Sequence, residues 1–255
     1  MSAATPTLDR RVLAEFLGTA ALVTIVVGSG IAAQRLSPGA AGLQLLQNST
    51  ATVLGLGVLI LVFGPISGAH FNPVVSVADW WTGRRHGTGL SLPGLGAYLV
   101  AQVLGGVCGA VLANAMFDSA VWQISTRDRI TGGHLLGEIV ATTGLIVVVF
   151  ALARSGRAAL SAAAVAAYIG AAYWFTSSTS FANPAVTVGR MFSDSFAGIA
   201  PASAPGYIAA QILGAALGSA LIAYLYPSAD RDRLRLAAPA EPGTNPTAIG
   251  RTPNS

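Results

Sequence analysis

Long apolar stretches dominate the chain, and six of them are long enough to cross a lipid bilayer as helices. A spanning helix needs about 20 mostly apolar residues. The six runs cover about residues 11–34, 45–64, 93–116, 134–153, 158–178 and 204–226. The first run is too long for a signal-peptide core, and no cleavage-site pattern precedes it. The pattern therefore predicts an all-α membrane protein with six transmembrane helices.

Two polar interruptions of this pattern carry nearly the same letters. Each consists of an Asn-Pro pair and the residue after it. The first is Asn72, Pro73 and Val74, and the second is Asn183, Pro184 and Ala185. Proline is favoured in the first turn of a helix, and asparagine before it is a good N-cap. Each pair therefore predicts a short helix that starts abruptly and cannot span. Irregular backbone within a membrane is tolerated only beside protein or a watery cavity.

The second half of the chain repeats the first. The segment 98–113, YLVAQVLGGVCGAVLA, matches the segment 207–223, YIAAQILGAALGSALIA, and AEFLGT at 14–19 echoes GEIVAT at 137–142. The two halves, about 11–116 and 134–227, each contain three spans. Because three is an odd number, the second half must lie inverted in the membrane. Inverted repeats are typical of transport proteins, in which the pathway lies at the repeat interface.

Small residues recur at matching points of the two repeats. Gly105 and Gly109 correspond to Gly214 and Gly218, and such four-residue spacings let helix backbones approach closely. The spacing indicates a packing role for the third and sixth helices. The single cysteine, Cys108, lies between the first two of these glycines, and its apolar surroundings predict a small buried core residue.

Charge sets the expected orientation. Charged residues make up 9% of the 255, against roughly a quarter in soluble domains, and all fourteen basic residues are arginines. With a cytoplasmic N-terminus, ten arginines lie inside and four outside, so the positive-inside rule predicts that both termini are cytoplasmic. Basic loops on an anionic leaflet account for the net charge of +4 without a nucleic-acid partner. The polar segment 228–255 predicts a disordered cytoplasmic tail after one channel domain, 1–227.

Two half-helices from opposite sides would meet N-terminus to N-terminus. Each N-terminus carries about half a positive charge, so the meeting point repels cations and protons but not neutral molecules. The side-chain amides of Asn72 and Asn183 would offer hydrogen-bond donors to a passing hydroxyl group or water. The sequence therefore predicts a pore for small uncharged solutes with an electrostatic barrier to cations.

These motifs resemble the aquaporin/aquaglyceroporin (major intrinsic protein) family. The strings SGAHFNPVVS and ANPAV, the paired glutamates and the Ala-Gln repeats carry the resemblance, which extends to about residue 227. It implies six transmembrane helices plus two re-entrant half-helices in an inverted three-helix repeat, a pore in each protomer and a homotetramer. It also implies that Glu15 and Glu138 are structural buried acids that accept hydrogen bonds from the re-entrant loops. A proton relay is the alternative for these two residues.

The chain departs from the family after its second motif. The family usually has an arginine there, which forms an aromatic/arginine constriction, whereas this chain has Val186. Counting back from the motifs places the rest of the selectivity filter at Thr52, Ala171 and Ser180. A ring of small side chains without an aromatic group or a cation predicts a wide opening that passes solutes larger than water. The first motif departs less, with Val74 in place of alanine.

The wide opening has an alternative, in which a neighbouring aromatic side chain fills the ring and leaves a water-selective pore. Candidates for that filling are Trp174, Phe175 and Phe181. Two other side chains are candidates for the pore or its vestibule. Arg190 lies one helical turn beyond Val186 and could supply a displaced positive charge, or could be solvated or paired with Asp194. His70 could line the inner pore and tune gating, or could anchor its loop.

The segment 175–201 resembles a bacterial branch of aquaglyceroporin-like channels associated with arsenic resistance. The resemblance implies a channel in the inner membrane of a bacterium for glycerol-like polyols, arsenous acid and methylated arsenicals. No nucleophile–base–acid set or metal-ligand cluster is recognisable, so the sequence predicts no enzyme activity, no cofactor and no metal. The competing class is a proton-coupled secondary transporter. It would need carboxylates in the membrane, and Glu15, Glu138 and Asp79 are the only acids near the spans.

Overall fold

The computed structural model describes residues 6–84 and 87–226, which form six long helices and two short ones. In chain order they are α1 (Leu8–Leu36), α2 (Ala41–Ser67), α3 (Pro73–Gly83), α4 (Leu92–Met116), α5 (Gly132–Arg154), α6 (Ser161–Phe175), α7 (Pro184–Arg190) and α8 (Ala204–Leu225). A single 3-10 turn, Ala158–Leu160, leads into α6. The predicted all-α class with six spans and two half-helices is confirmed. The predicted tail lies outside the described residues.

The six spans are apolar enough to stand in lipid. Their most hydrophobic windows have mean hydropathies between 1.5 and 2.3. At 1.5 Å per residue, the 22 residues of α8 reach about 33 Å, which matches the hydrocarbon core of a bilayer. The helices α1 and α2 extend two to four residues beyond the predicted apolar runs at each end. The fifth span ends three residues earlier than predicted, at Phe175.

Helix contacts define two faces of the molecule. On one face, Arg11 at the start of α1 donates to the hydroxyl of Tyr98, which donates to the backbone oxygen of Ser67. On the opposite face, Arg35 at the end of α1 donates to the backbone oxygen of Phe117, and the loops 117–131 and 191–203 contact each other. We call the first the inner face and the second the outer face, following the orientation that the arginines predict.

Glycines bring the first and third spans of each repeat together. A Cβ atom on Gly109 of α4 would lie 2.2 Å from the backbone oxygen of Ala20 in α1, and one on Gly218 of α8 would lie 2.8 Å from that of Thr143 in α5. Because neither backbone leaves room for a side chain, both positions require glycine. The two predicted glycine pairs therefore pack α4 on α1 and α8 on α5. The half-helix α7 rests on α4 in the same way, through Gly189 and Gly106.

The prediction for Cys108 is wrong. Its side chain is exposed, on the same face of α4 as Val100, Leu104 and Leu112. These residues are spaced four apart, so they form one outward stripe of the helix. In a membrane protein the surface that faces lipid is as apolar as the core, and hydropathy alone therefore could not tell the two environments apart.

Candidate functional site

The two half-helices meet N-terminus to N-terminus inside the bundle, and each is capped by its own asparagine. The Oδ1 atom of Asn72 accepts a hydrogen bond from the backbone N–H of Val74 at 3.1 Å. The Oδ1 atom of Asn183 accepts from the backbone N–H groups of Ala185 and Val186 at 2.9 and 3.2 Å. Proline follows each cap, as expected for a helix that begins abruptly.

The two asparagines also tie the repeats together across the junction. The Nδ2 atom of Asn72 donates to the backbone oxygen of Ala182, and Nδ2 of Asn183 donates to that of Phe71, both at 2.7 Å. A side-chain amide nitrogen carries two hydrogens, so each asparagine keeps a second N–H. Both asparagines line the central cavity, where that second donor can meet a solute.

The loops that precede the half-helices share an unusual backbone. Ala69 and Phe71 have φ values of 50° and 49°, and Ser180 and Ala182 have values of 50° and 49°. These residues lie three and one positions before the two asparagines. Positive φ is uncommon for residues other than glycine, and clusters of it are typical of functional sites. The same strained turn therefore occurs in both repeats.

Glu15 secures the first loop. Its carboxylate is fully buried and accepts hydrogen bonds from the backbone N–H groups of His70 and Phe71 at 2.9 and 2.7 Å. The Ser67 hydroxyl and the Gln102 side chain donate to it at 2.6 and 2.7 Å. Four donors compensate the buried charge and hold the loop in its left-handed conformation.

Glu138 secures the second loop in the same manner. Its carboxylate, also fully buried, accepts from the backbone N–H groups of Phe181 and Ala182 at 2.9 and 2.8 Å, and from Gln211 at 2.7 Å. Neither glutamate lines the cavity. The geometry thus matches the structural role that the family resemblance implied, and both carboxylates are bonded to donors away from the pathway.

A cavity of about 270 Å³ runs beside the junction of the half-helices. The helices α1, α2, α5 and α6 form an apolar wall, with side chains that include Leu22, Leu56, Val149 and Ile169. The two strained loops and their asparagines form the opposite, polar wall. Such an amphipathic lining suits a solute that is apolar on one side and carries hydroxyl groups on the other.

His70 lies on the polar wall of the cavity, towards the inner face. Its Nδ1 atom lies 3.1 Å from the Ser76 hydroxyl, which also accepts a hydrogen bond from Gln102 at 2.9 Å. Its ring packs edge-on against Tyr98, with the ring centroids 5.6 Å apart. The side chain thus borders the pathway and is also held by the buried network around Glu15.

At the outer constriction the structure places three of the four predicted ring residues on the cavity. Thr52, Ser180 and Val186 line it, but Ala171 does not. The assignment of Ala171 is wrong, because its side chain is exposed on the outside of α6. Ile169 and Tyr173 line the cavity instead. Each lies two residues from Ala171. Because two residues correspond to about 200° of rotation around a helix, both face the side opposite to Ala171.

The constriction is therefore not free of aromatic groups. The hydroxyl of Tyr173 lies 3.2 Å from Oγ1 of Thr52, and Phe181 also lines the cavity. Of the other aromatic residues considered for filling the ring, Trp174 and Phe175 are 52% and 57% exposed and point away. Counting back from the motif missed Tyr173, but its four-residue spacing from Ile169 was a signal that could have found it.

Arg190, at the end of α7, is buried and lines the cavity. Its Nε atom donates to the backbone oxygen of Ala197, and its guanidinium carbon lies 3.4 Å from the centroid of the Phe181 ring. The alternative of an arginine in bulk solvent is wrong, because only 2% of Arg190 is exposed. Pairing with Asp194 is also wrong, because Asp194 accepts instead from the backbone N–H and hydroxyl of Thr126. The position of Arg190 beyond Val186 puts a cation at the outer end of the pathway.

Two further arginines hold the outer loops without lining the cavity. Arg127 and Arg129 both donate to the backbone oxygen of Phe196, at 3.0 and 2.8 Å, and Arg129 also donates to that of Gly198 at 2.7 Å. Burial, and then the positive charge of Arg190, lower the pKa of Arg129 below its ordinary value. The two arginines thus fix the loop 191–203 at the outer mouth.

Acidic side chains contribute little to the pathway. Among the described residues, Asp79 is the one acid that lines the cavity, and its Oδ2 atom accepts a hydrogen bond from the backbone N–H of Leu90 at 2.8 Å. Asp79 belongs to α3, near the inner face. The membrane centre, where a coupled transporter needs its exchangeable carboxylate, is lined here by the asparagines.

Comparison with known proteins agrees with this architecture. The family profile described as Major intrinsic protein matches residues 2–181 and 160–248. The chain is 44% identical to the aquaglyceroporin AqpS of Rhizobium meliloti, over 91% of this chain and 96% of the relative. It is 32% identical to the glycerol uptake facilitator protein of Pseudomonas aeruginosa, over 94% and 96%. The crystal structure of the aquaglyceroporin from Plasmodium falciparum superposes with a TM-score of 0.59 and 20% identity, covering 91% of this chain and all of the other.

Proposed function

Because the chain belongs to the major intrinsic protein family, whose members are channels and not enzymes, we propose a specific form of selectivity for its pore. The protein is a multi-pass membrane channel that passes small neutral solutes such as glycerol. The proposal is that Val186, in place of the usual filter arginine, leaves a wide outer constriction. The solutes that this constriction admits are glycerol-like polyols, arsenous acid and methylated arsenicals.

The observation that carries the proposal is the lining of the constriction. Val186, Thr52 and Ser180 border the cavity with small side chains. The tyrosine on α6 narrows one side, but its hydroxyl is bonded to Thr52 and so lies against the wall between α2 and α6. A valine side chain is too short to reach across the lumen as an arginine does. This supports an opening wider than one that passes water molecules in single file.

The two walls of the cavity favour the passage of hydroxylated solutes and not of water alone. A polyol can turn its carbon chain to the apolar wall while its hydroxyl groups contact the second N–H of Asn72 and of Asn183. Arsenous acid is an uncharged trihydroxy molecule at neutral pH and offers the same hydrogen bonds. Its inclusion rests on the resemblance of segment 175–201 to the arsenic-associated branch.

Two architectural features belong to the same proposal. The excess of arginines on the predicted inner side supports cytoplasmic termini and a bacterial inner membrane. A homotetramer is the assembly that the family resemblance implies. The exposed apolar side chains of α2, which include Leu54, Val58, Leu61 and Val62, provide a surface for lipid or for a second protomer.

Uptake into proteoliposomes tests the transport class and the solutes together. We expect glycerol and arsenous acid to enter at rates proportional to their gradients, to stop at equal concentrations inside and outside, and to ignore a protonophore. Protein-free liposomes from the same lipid are the control. Accumulation above the external concentration under an inward proton gradient would establish the coupled transporter instead. Glycerol entry without arsenous acid entry would remove arsenous acid from the solutes.

A further inference from the structure

Because Val186 stands in place of the usual filter arginine, a different group has to repel cations at the outer end of the pore. Val186 carries no charge, and the half-helix N-termini lie deeper, at the junction. Arg190 is the one arginine of the described residues that lines the cavity. It lies four residues further along α7 than Val186, which is about 6 Å along the helix axis.

Two contacts fix the guanidinium group of Arg190 in place. The Phe181 ring lies against its face at 3.4 Å, and the backbone oxygen of Ala197 accepts from its Nε atom. Phe181 is itself held, because Glu138 accepts from its backbone N–H and the Tyr207 ring packs edge-on against it at 5.1 Å. The charge is therefore tied to the same loop that positions Asn183.

The outer part of Arg190 remains available to the pathway. Within residues 6–84 and 87–226, neither of its two terminal nitrogens has a hydrogen-bond acceptor, and neither is sealed from solvent. The nearby acids of the outer loops are engaged elsewhere, Asp194 with Thr126 and Asp128 with Ser203. A free guanidinium edge therefore borders the cavity.

A second polar group lies beside the same space without a partner. The Ser180 hydroxyl is buried, with only 3% of the residue exposed, and has no hydrogen-bond partner among the described residues although Ser180 lines the cavity. A buried hydroxyl without a partner costs free energy, which a ligand oxygen in the cavity recovers once the Ser180 side chain turns towards it. Guanidinium and hydroxyl donors both suit an oxygen acceptor.

We propose that Arg190, clamped on Phe181, is the displaced filter cation of this pore and forms with Ser180 an outer subsite for the oxygen of a neutral hydroxylated solute. The same charge repels cations and protons where valine replaces the usual arginine. Because α7 places this charge one turn further out, it selects against cations without narrowing the ring at Val186. The inference rests on the proposed solute channel, and it identifies Arg190 as the residue that keeps ions out of that channel.

The test compares ion leakage and glycerol flux in the same proteoliposomes. For Arg190→Gln we expect potassium and proton leakage to rise about tenfold or more, because the charge at the outer end is removed. Glycerol flux should fall by about twofold or more, because the outer subsite loses its charged donor, yet stay above that of protein-free liposomes. Arg190→Lys keeps the charge and should leak as little as the wild type. Arg127→Gln removes a charge that is anchored to the same loop but lies outside the cavity, and it should also leave leakage unchanged.

Several outcomes would overturn the inference. Unchanged leakage in Arg190→Gln with glycerol flux retained would show that the charge does not guard the pore. Equal leakage in Arg190→Lys and Arg190→Gln would show the same. If Arg190→Gln does not fold, Phe181→Leu keeps the charge but removes its clamp and should raise leakage, so wild-type leakage would refute the inference. Absence of glycerol flux in the wild type would instead refute the solute channel itself.

Discussion

Replacement of Val186 by arginine is expected to lower glycerol permeability by about tenfold or more, which corresponds to a barrier increase of at least about 1.4 kcal/mol. The side chain of residue 186 borders the outer constriction together with Thr52 and Tyr173. An arginine there would extend into the lumen and narrow the opening for solutes larger than water. Stopped-flow light scattering on proteoliposomes measures the change, and water permeability should fall much less than glycerol permeability.

The matched control for this variant is Val186→Ile, which adds a single methylene group without charge. It should retain most of the glycerol permeability, because the lumen beside residue 186 is open towards the cavity. If Val186→Arg conducts glycerol as fast as the wild type, the absent arginine has no part in selectivity. The proposed basis of the wide filter would then be wrong.

Glu138→Gln is expected to destabilise the protein by about 3 kcal/mol, and so to lower its apparent Tm by about 10 °C. The carboxylate accepts from two backbone N–H groups and from Gln211, and it is fully buried. A glutamine offers one oxygen and turns an NH2 group towards donors, so at least one buried N–H loses its acceptor. Thermal unfolding of detergent-purified protein, followed by size-exclusion chromatography, gives the measurement.

Two further variants serve as a parallel test and as a control for that loss of stability. Glu15→Gln should lose a similar amount, because Glu15 accepts equivalent hydrogen bonds from the first loop. Asp118→Asn is the control, since Asp118 is exposed and asparagine tolerates its φ of 52°. A Glu138→Gln protein as stable as Asp118→Asn would show that the carboxylate does not hold the second loop.

The sequence predicted the architecture well because its signals are local and occur twice. The apolar runs marked the six spans, and the Asn-Pro pairs marked the starts of α3 and α7 at Pro73 and Pro184. Since the halves have three spans each, the inversion followed by counting. The family resemblance then linked the two glutamates to the re-entrant loops, where the structure places their hydrogen bonds.

The outer constriction was harder to predict, because it depends on the rotation of one helix relative to the pathway. Counting residues back from the second motif selected Ala171, but the loop between α6 and α7 sets which face of α6 turns inwards. That face carries Ile169 and Tyr173. Cys108 was misplaced for a related reason, since lipid and core select the same apolar residues. The clamp of Arg190 on Phe181 joins residues that no local pattern connects.

The ratio of glycerol to water permeability of the wild-type protein, measured by stopped-flow light scattering on one preparation of proteoliposomes, tests the wide filter most directly. We expect the protein to raise both glycerol and water permeability well above those of protein-free liposomes. Fast water flow with glycerol permeability equal to that of protein-free liposomes would contradict this expectation. Such a result would mean that Tyr173 and Phe181 close the constriction to everything larger than water.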